Sequence, residues 1–357
     1  MKNYIKIVHS SRMVFLGVVL VLGVACMQCK NTQSASTPAA QKSAEKADAV
    51  SYVKAITADD IKKHLYAFAS DEFEGRDTGE PGQKKAAEYL KNEYKKLGIA
   101  SPIGEDDYFQ EIPETYFRAG IKASENVIAY IKGSEKPEEV IVLSAHYDHV
   151  GVDKNGQVYN GADDDGSGTI AVLQMAKAFQ KAVEEGNGPK RTIVFLHVTG
   201  EEKGLYGSKY YTENPIFPLQ NTVADLNIDM IGRIDPNHKE NPNYVYLIGS
   251  DKLSQDLHDL SEAVNQKYTQ LDLDYTYNDE NDPNRFYYRS DHYNFAKHGI
   301  PIIFYFNGVH EDYHKVTDTP DKIEYDLLTK RAQLVFYTAW EIANREQRIQ
   351  VNETVGK

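Results

Sequence analysis

The residues best able to do chemistry fall in short segments: His146-Tyr147-Asp148, then Gly161-Ala162-Asp163-Asp164-Asp165-Gly166-Ser167-Gly168, the pair Glu201-Glu202, Asp229 and His314. Each sits just past an apolar run or directly before a helical one. Imidazole nitrogen and carboxylate oxygen are donors that zinc and similar divalent ions accept, and a catalytic site keeps one coordination position for water. Two such ions about 4 Å apart share a bridging carboxylate, lower the pKa of a bridging water and polarise a carbonyl. One carboxylate must stay off the metals to take the water's proton and return it to the leaving amine. Adjacent Glu201 and Glu202 supply both jobs if their side chains diverge. The set predicts a two-metal hydrolase.

Strand-like runs at residues 126–131, 140–145, 192–198, 226–231, 244–248 and 301–306 alternate with helical segments at 167–182, 253–267, 292–297 and 325–348. Upstream, residues 57–97 read as helical with Thr57 as a cap, interrupted by a Gly- and Pro-bearing loop at 74–82. The alternation predicts an α/β fold, an open and mostly parallel sheet with helices on both faces. Ligands bind such sheets at the carboxyl ends of the strands. There the run 140–145 ends at His146, 192–198 stops just before Glu201, 226–231 brackets Asp229, and 301–306 leads to His314. With no internal repeat and no long interruption, residues 56–350 read as one catalytic domain.

The ordered succession of His-Tyr-Asp, Gly-Ala-Asp-Asp-Asp-Gly-Ser-Gly, Gly-Glu-Glu, Asn-Ile-Asp-Met-Ile-Gly and Tyr-His-Lys-Val-Thr-Asp-Thr is similar to that of the M28 family of co-catalytic zinc aminopeptidases. Phe73-Glu74-Gly75-Arg76 and the Gly79-Glu80-Pro81-Gly82 helix start after it also resemble that family, so the likeness runs from about residue 60 to 345. The resemblance implies a three-layer sandwich with a mixed, mostly parallel central sheet. It implies two zinc ions, with His146 and Asp229 on one, Glu202 and His314 on the other, and Asp164 bridging. Glu201 becomes the general base, Asp148 steadies the His146 imidazole from behind, and Tyr313 offers a hydroxyl to the tetrahedral oxyanion. A cis peptide between Asp164 and Asp165 is also implied.

The expected reaction is hydrolysis of the N-terminal peptide bond of a peptide substrate, with a metal-bridging water as nucleophile. Three alternatives stay open. One is a single-zinc glutaminyl-peptide cyclotransferase on the same frame, another is a binding protein that has lost catalysis, and the third is a carboxypeptidase, because the sequence does not show which peptide end enters.

Neighbouring residues have plainer readings. His149 reads as a loop histidine, His197 as a hydrogen-bonded core residue, and Asp163 and Asp165 as turn or helix-cap residues. The run His310-Glu311-Asp312-Tyr313-His314 fits the single-zinc H-E-x-x-H pattern letter for letter, but that motif works only on a helix, and the flanking Asn307-Gly308 and Thr317-Asp318-Thr319-Pro320 argue against one. The stretch 271–284, with Asp272, Asp274, Asp279, Glu280 and Asp282, reads as a calcium-binding or a solvated loop. Tyr275, Tyr277, Phe286, Tyr287 and Tyr288 are candidates for a substrate-selecting rim.

Lys2, Lys6 and Arg12 precede an apolar stretch at residues 14–25, the pattern of a secretory signal and too short to span a bilayer. It ends at Gly23-Val24-Ala25-Cys26, which resembles a bacterial lipoprotein signal. Residues 1–25 are therefore expected to be removed and Cys26 to carry a lipid, placing the protein in the cell envelope as a membrane-anchored lipoprotein. Residues 26–55 read as a flexible tether, rich in Ser, Thr, Ala, Gln and Lys without apolar periodicity. Cys26 and Cys29 are the only cysteines, so the globular part has neither disulfides nor thiolate ligands. The chain carries a net charge of −13, and loss of the three basic residues with the signal makes it more acidic still. That balance argues against nucleic acid as a partner.

Overall fold

The computed structural model describes residues 48–353. The signal segment 1–25, Cys26 and the tether as far as residue 47 lie outside the described residues.

Eight strands form one sheet: β1 (Phe109–Ile112), β2 (Ser124–Ile131), β3 (Lys136–His146), β4 (Arg191–Val198), β5 (Thr222–Ile228), β6 (Tyr244–Ile248), β7 (Asp272–Asp274) and β8 (Ile302–Phe306), in the order β1-β2-β4-β3-β5-β8-β6-β7. The four central strands β4, β3, β5 and β8 are mutually parallel. Antiparallel pairings of β2 with β4 and β8 with β6 flank them, which makes the sheet mixed.

The central strands are apolar at nearly every position because both faces are covered. Ile141, Leu143 and Ala145 of β3 enter a large core with α4 (Gly168–Glu184) and α8 (Tyr325–Asn344), while Val140 and Val142 face a smaller core with Tyr211 of α5 (Tyr206–Glu213) and Phe295 of α7 (His292–Ala296). The period-two alternation of a strand thus divides its side chains between two helical layers. The α/β sandwich expected from the sequence is the observed architecture.

The folded part begins earlier than the sequence suggests. A helix, α1 (Ala49–Val53), lies inside the stretch 26–55 read as tether, capped by the Asp48 carboxylate. Ala49, Tyr52 and Val53 stand at helical spacing and are buried, and Tyr52 stacks on Trp340 with ring centroids 5.3 Å apart. Five residues are too few for periodicity to announce this helix.

A second correction concerns β5, which ends at Ile228 rather than running to residue 231. Met230 takes a left-handed backbone conformation, φ 62°, that no strand accommodates. Asp229 is therefore the first residue past its strand, and it joins His146, the last residue of β3, on the edge where all four parallel strands end.

Candidate metal centre

The site is built by segments that leave the carboxyl ends of β3, β4, β5 and β8. After β3 the chain loops through residues 147–161 and enters α4 by an irregular turn, Ala162–Ser167, which carries the three aspartates. The backbone N–H groups of Asp163 and Asp164 donate to the carboxylate of Asp318 at 3.0–3.2 Å, and Ser167 donates its hydroxyl to the Asp163 carbonyl. Asp163 and Asp165 are tied to the segment after β5, accepting from Gly232 N–H and Met230 N–H respectively. Only Asp164 is left to face the site. The Asp164-Asp165 peptide bond is cis.

Two groups of potential ligands share Asp164. In the first, His146 Nε2 stands 3.3 Å from Asp164 Oδ1 and 3.6 Å from Asp229 Oδ1. His146 Nδ1 lies 3.1 Å from the main-chain carbonyl of Asp148, which accepts from Nδ1–H, so that the proton stays on Nδ1 and the Nε2 lone pair turns to the carboxylates. In the second, Asp164 Oδ2 and Glu202 Oε1 lie 3.0 and 3.1 Å from His314 Nε2. His149 Nδ1 joins this group at 3.1 Å from Glu202 Oε1 and 3.7 Å from Asp164 Oδ2. The two oxygens of one carboxylate thus each face a different group.

The donor atoms have the mark of a metal site. His146 Nε2, His149 Nδ1, Asp164 Oδ2 and Glu202 Oε1 are all buried without a hydrogen-bond partner. Buried polar atoms are almost always paired, and orphans gathered within these two groups are atoms that bound cations would satisfy. The carboxylates already act on the imidazoles in that sense: burial alone would lower the His314 pKa, but Asp164 and Glu202 outweigh it and push it up to about 10. Burial first, then Glu202, Asp229 and Asp291, raise the Glu201 carboxyl well above the usual carboxylate range. The mixed imidazole and carboxylate set is one that zinc accepts.

A pocket opens onto the first group. It is lined by Asp164, Glu201, Asp229 and Tyr313 on its polar side and by Met230, Phe286, Phe304, Phe306 and Val309 on its apolar side, with Arg289 and Ser290 completing the wall. His146, Asp164, Glu202, Asp229 and His314 are therefore brought together as the sequence predicted, and Glu201 and Tyr313 share the pocket with them.

Other expectations are corrected. Asp148 reaches His146 through its main-chain carbonyl. Its carboxylate stands 3.8 Å from Nδ1 and is occupied instead by the Thr78 hydroxyl and the Glu201 N–H. His149, expected to be a loop histidine rather than a ligand, does lie in the loop after β3 but is buried there inside the second group. The one cue in the sequence was its place three residues after His146, too common a spacing to read alone.

Arg76 was also missed. Its fully buried guanidinium donates to the carbonyls of Tyr147, Asn160 and Gly161 and so ties the two ends of the loop between His146 and Asp164. His197 is the core residue expected, 2.7 Å from the Tyr94 hydroxyl.

The H-E-x-x-H run forms no regular helix, and His310 turns to Asp163 Oδ2 at 3.1 Å while His314 turns to Asp164. In the acidic stretch, the Asp279 and Asp282 carboxylates accept backbone N–H groups of their own turns. Among the described residues this stretch forms no ligand group, so the calcium expectation finds no support.

Residues 126–339, more than half of the chain, match the profile of peptidase family M28. The chain belongs to peptidase family M28. Its curated relatives include a probable zinc metalloprotease of Pyricularia oryzae, 28% identical over 269 residues that cover 64% of this chain and 52% of the relative. The leupeptin-inactivating enzyme 1 of Streptomyces exfoliatus is 29% identical over 266 residues, covering 73% and 51%. This M28 chain spans about half the length of these two relatives. Among solved structures, LapB from Legionella pneumophila superposes with a TM-score of 0.66 at 21% identity, covering 84% of this chain and 75% of the other. An aminopeptidase from Aneurinibacillus sp. strain AM-1 does so with a TM-score of 0.62 at 16% identity, covering 85% and 98%. At such identities the likeness is one of fold.

Proposed function

We propose that this M28 chain is a zinc exopeptidase that removes the N-terminal residue of peptides, using two zinc ions, one held by His146, Asp164 and Asp229 and the other by Asp164, Glu202 and His314. The observation that carries this reading is the pair of donor groups on the two oxygens of Asp164, with His146 Nε2, Asp164 Oδ2 and Glu202 Oε1 buried and unpartnered. When bound, the ions supply Lewis acidity and lower the pKa of a water in the site. Glu201 takes a proton from that water and passes it to the leaving amine, and burial, which raises its carboxyl, favours its holding that proton in transit. Tyr313, on the same pocket wall, donates its hydroxyl to the developing oxyanion. The apolar wall from Met230 to Val309 takes a large apolar side chain, while the surrounding carboxylates take the free amino group.

The presence of two donor groups favours this reading over a single-zinc cyclotransferase, and the complete ligand set favours it over an inactive binding protein. One observation favours a second reading: Arg289 is the only cation among the pocket-lining residues and fits a free carboxylate, as a dipeptide or a carboxypeptidase substrate would present. A panel of peptides free or blocked at each end, assayed with zinc and after chelation, separates these. We expect cleavage only with a free N-terminus and a large apolar first residue, abolished by chelation; cleavage of N-terminally blocked peptides would overturn the aminopeptidase reading.

We also infer export as a lipoprotein, with residues 1–25 removed and Cys26 acylated, followed by a tether that ends before residue 48. Labelling with a radioactive fatty acid tests this, and equal label on wild type and Cys26→Ala would refute it.

A further inference from the structure

His149 is not among the ligands that the family resemblance supplies, yet it is built into the site as firmly as those that are. Its side chain is fully buried, and neither ring nitrogen has a hydrogen-bond partner. Its Nδ1 lies 3.1 Å from Glu202 Oε1, close enough for a hydrogen bond, but the directions are wrong for one, and both atoms stay unpaired. His146 Nε2, 3.3 Å from Asp164 Oδ1, is likewise left without a hydrogen-bond partner. Lone pairs that pass one another in this way converge on a third point.

The spacing of the donors agrees. Four of the separations among His149 Nδ1, Asp164 Oδ2, Glu202 Oε1 and His314 Nε2 are 3.1, 3.7, 3.0 and 3.1 Å. A tetrahedron of nitrogen and oxygen donors around zinc has edges of about 3.3 Å, given bonds of about 2.0–2.1 Å. The imidazole is also held in place. The His149 backbone N–H donates to the Arg76 carbonyl at 3.1 Å, and the ring lies so close over Gly161 that a Cβ there would stand 2.5 Å from its Cγ.

The two groups differ in how they meet the pocket. Asp164 and Asp229 of the first group line it, whereas of the second group only the shared Asp164 does. We propose that His149 is a fourth protein donor to the second ion, which it shares with Asp164, Glu202 and His314. The first ion would have three protein donors, His146, Asp164 and Asp229. The inference rests on the two-metal reading above and gives the two ions unequal sets of protein donors.

X-ray absorption on the zinc-loaded wild-type protein, read beside zinc content, tests this without a variant. Three imidazoles per two zinc ions are expected, from His146, His149 and His314; two per two would overturn the role of His149. A wild-type protein that holds only one zinc would instead defeat the two-metal reading itself. His149→Ala and the closer His149→Gln, checked for folding by circular dichroism, should each weaken the tighter zinc equivalent at least tenfold in a chelator competition. Folded variants that retain both equivalents at wild-type affinity would overturn the proposal.

Discussion

The tie made by Arg76 can be tested by changing it to methionine. The side chain makes three short hydrogen bonds, to the carbonyls of Tyr147, Asn160 and Gly161 at 2.9, 2.7 and 2.9 Å, and a longer one to Phe68 at 3.3 Å. Burial lowers its pKa to about 10, against the pull of Asp164, Asp318, Asp148 and Asp165, so the guanidinium remains charged at neutral pH. Methionine fills much of the space but leaves the carbonyls buried and unbonded. A hydrogen bond to a charged group contributes about 1.5–3 kcal/mol, and such bonds are not additive, so Arg76→Met should cost about 3–5 kcal/mol. At about 2 °C per kcal/mol for a chain of this size, the unfolding midpoint falls by about 6–10 °C.

Arg76→Lys keeps the charge but cannot fork to three carbonyls, and should lose most of the same amount. Both variants should also bind zinc more weakly, because the carbonyls released belong to the segments that carry His149 and Asp164. Urea and thermal unfolding of the metal-free and zinc-loaded proteins measure this. A loss below about 1 kcal/mol for Arg76→Met, or a lysine variant equal to wild type in stability and zinc affinity, would refute the argument.

Changing Glu201 to Gln should lower kcat by about 10²- to 10⁴-fold with zinc content unchanged, while Glu311→Gln, whose side chain is exposed, should leave activity intact; a steady-state assay beside metal analysis decides it. Tyr313→Phe should lower kcat by about 10²-fold with little change in zinc content, the signature of a lost oxyanion donor. Burial, with Asp148 and Asp229 nearby, raises the Asp291 pKa to about 7. Ionising it therefore costs the folded state nothing in acid and progressively more as pH rises from the ordinary carboxylate range through 7. Asp291→Asn, which retains an oxygen for the Ser208 hydroxyl, should stabilise the metal-free protein more at pH 8 than at pH 5, and an equal effect at both would contradict this.

Local sequence announced the long, buried elements well. The runs at 140–145, 192–198 and 244–248 lie within or coincide with strands because burial on both faces requires unbroken apolar residues. Short or marginal elements went unseen: β1 and β7 have four and three residues, and α5 has eight with a weak apolar face. Their conformations are set by the neighbours they pair with or pack on. The ligands at strand ends were legible for a related reason, since a polar residue directly after a buried strand has few structural duties.

By itself, then, the sequence determined the fold class, the edge of the sheet where chemistry is placed, and the donors His146, Asp164, Glu202, Asp229 and His314 as a set. Tertiary structure alone decided which of three adjacent aspartates turns inward, since Asp163 and Asp165 are taken up by backbone N–H groups more than sixty residues away in the chain. It alone brought His149 against Glu202 and set Arg76 across the loop. The physical reason is the range of the forces involved. Strand burial and helix periodicity are written into neighbouring residues, whereas the direction of a buried polar side chain is fixed by partners that only folding brings near.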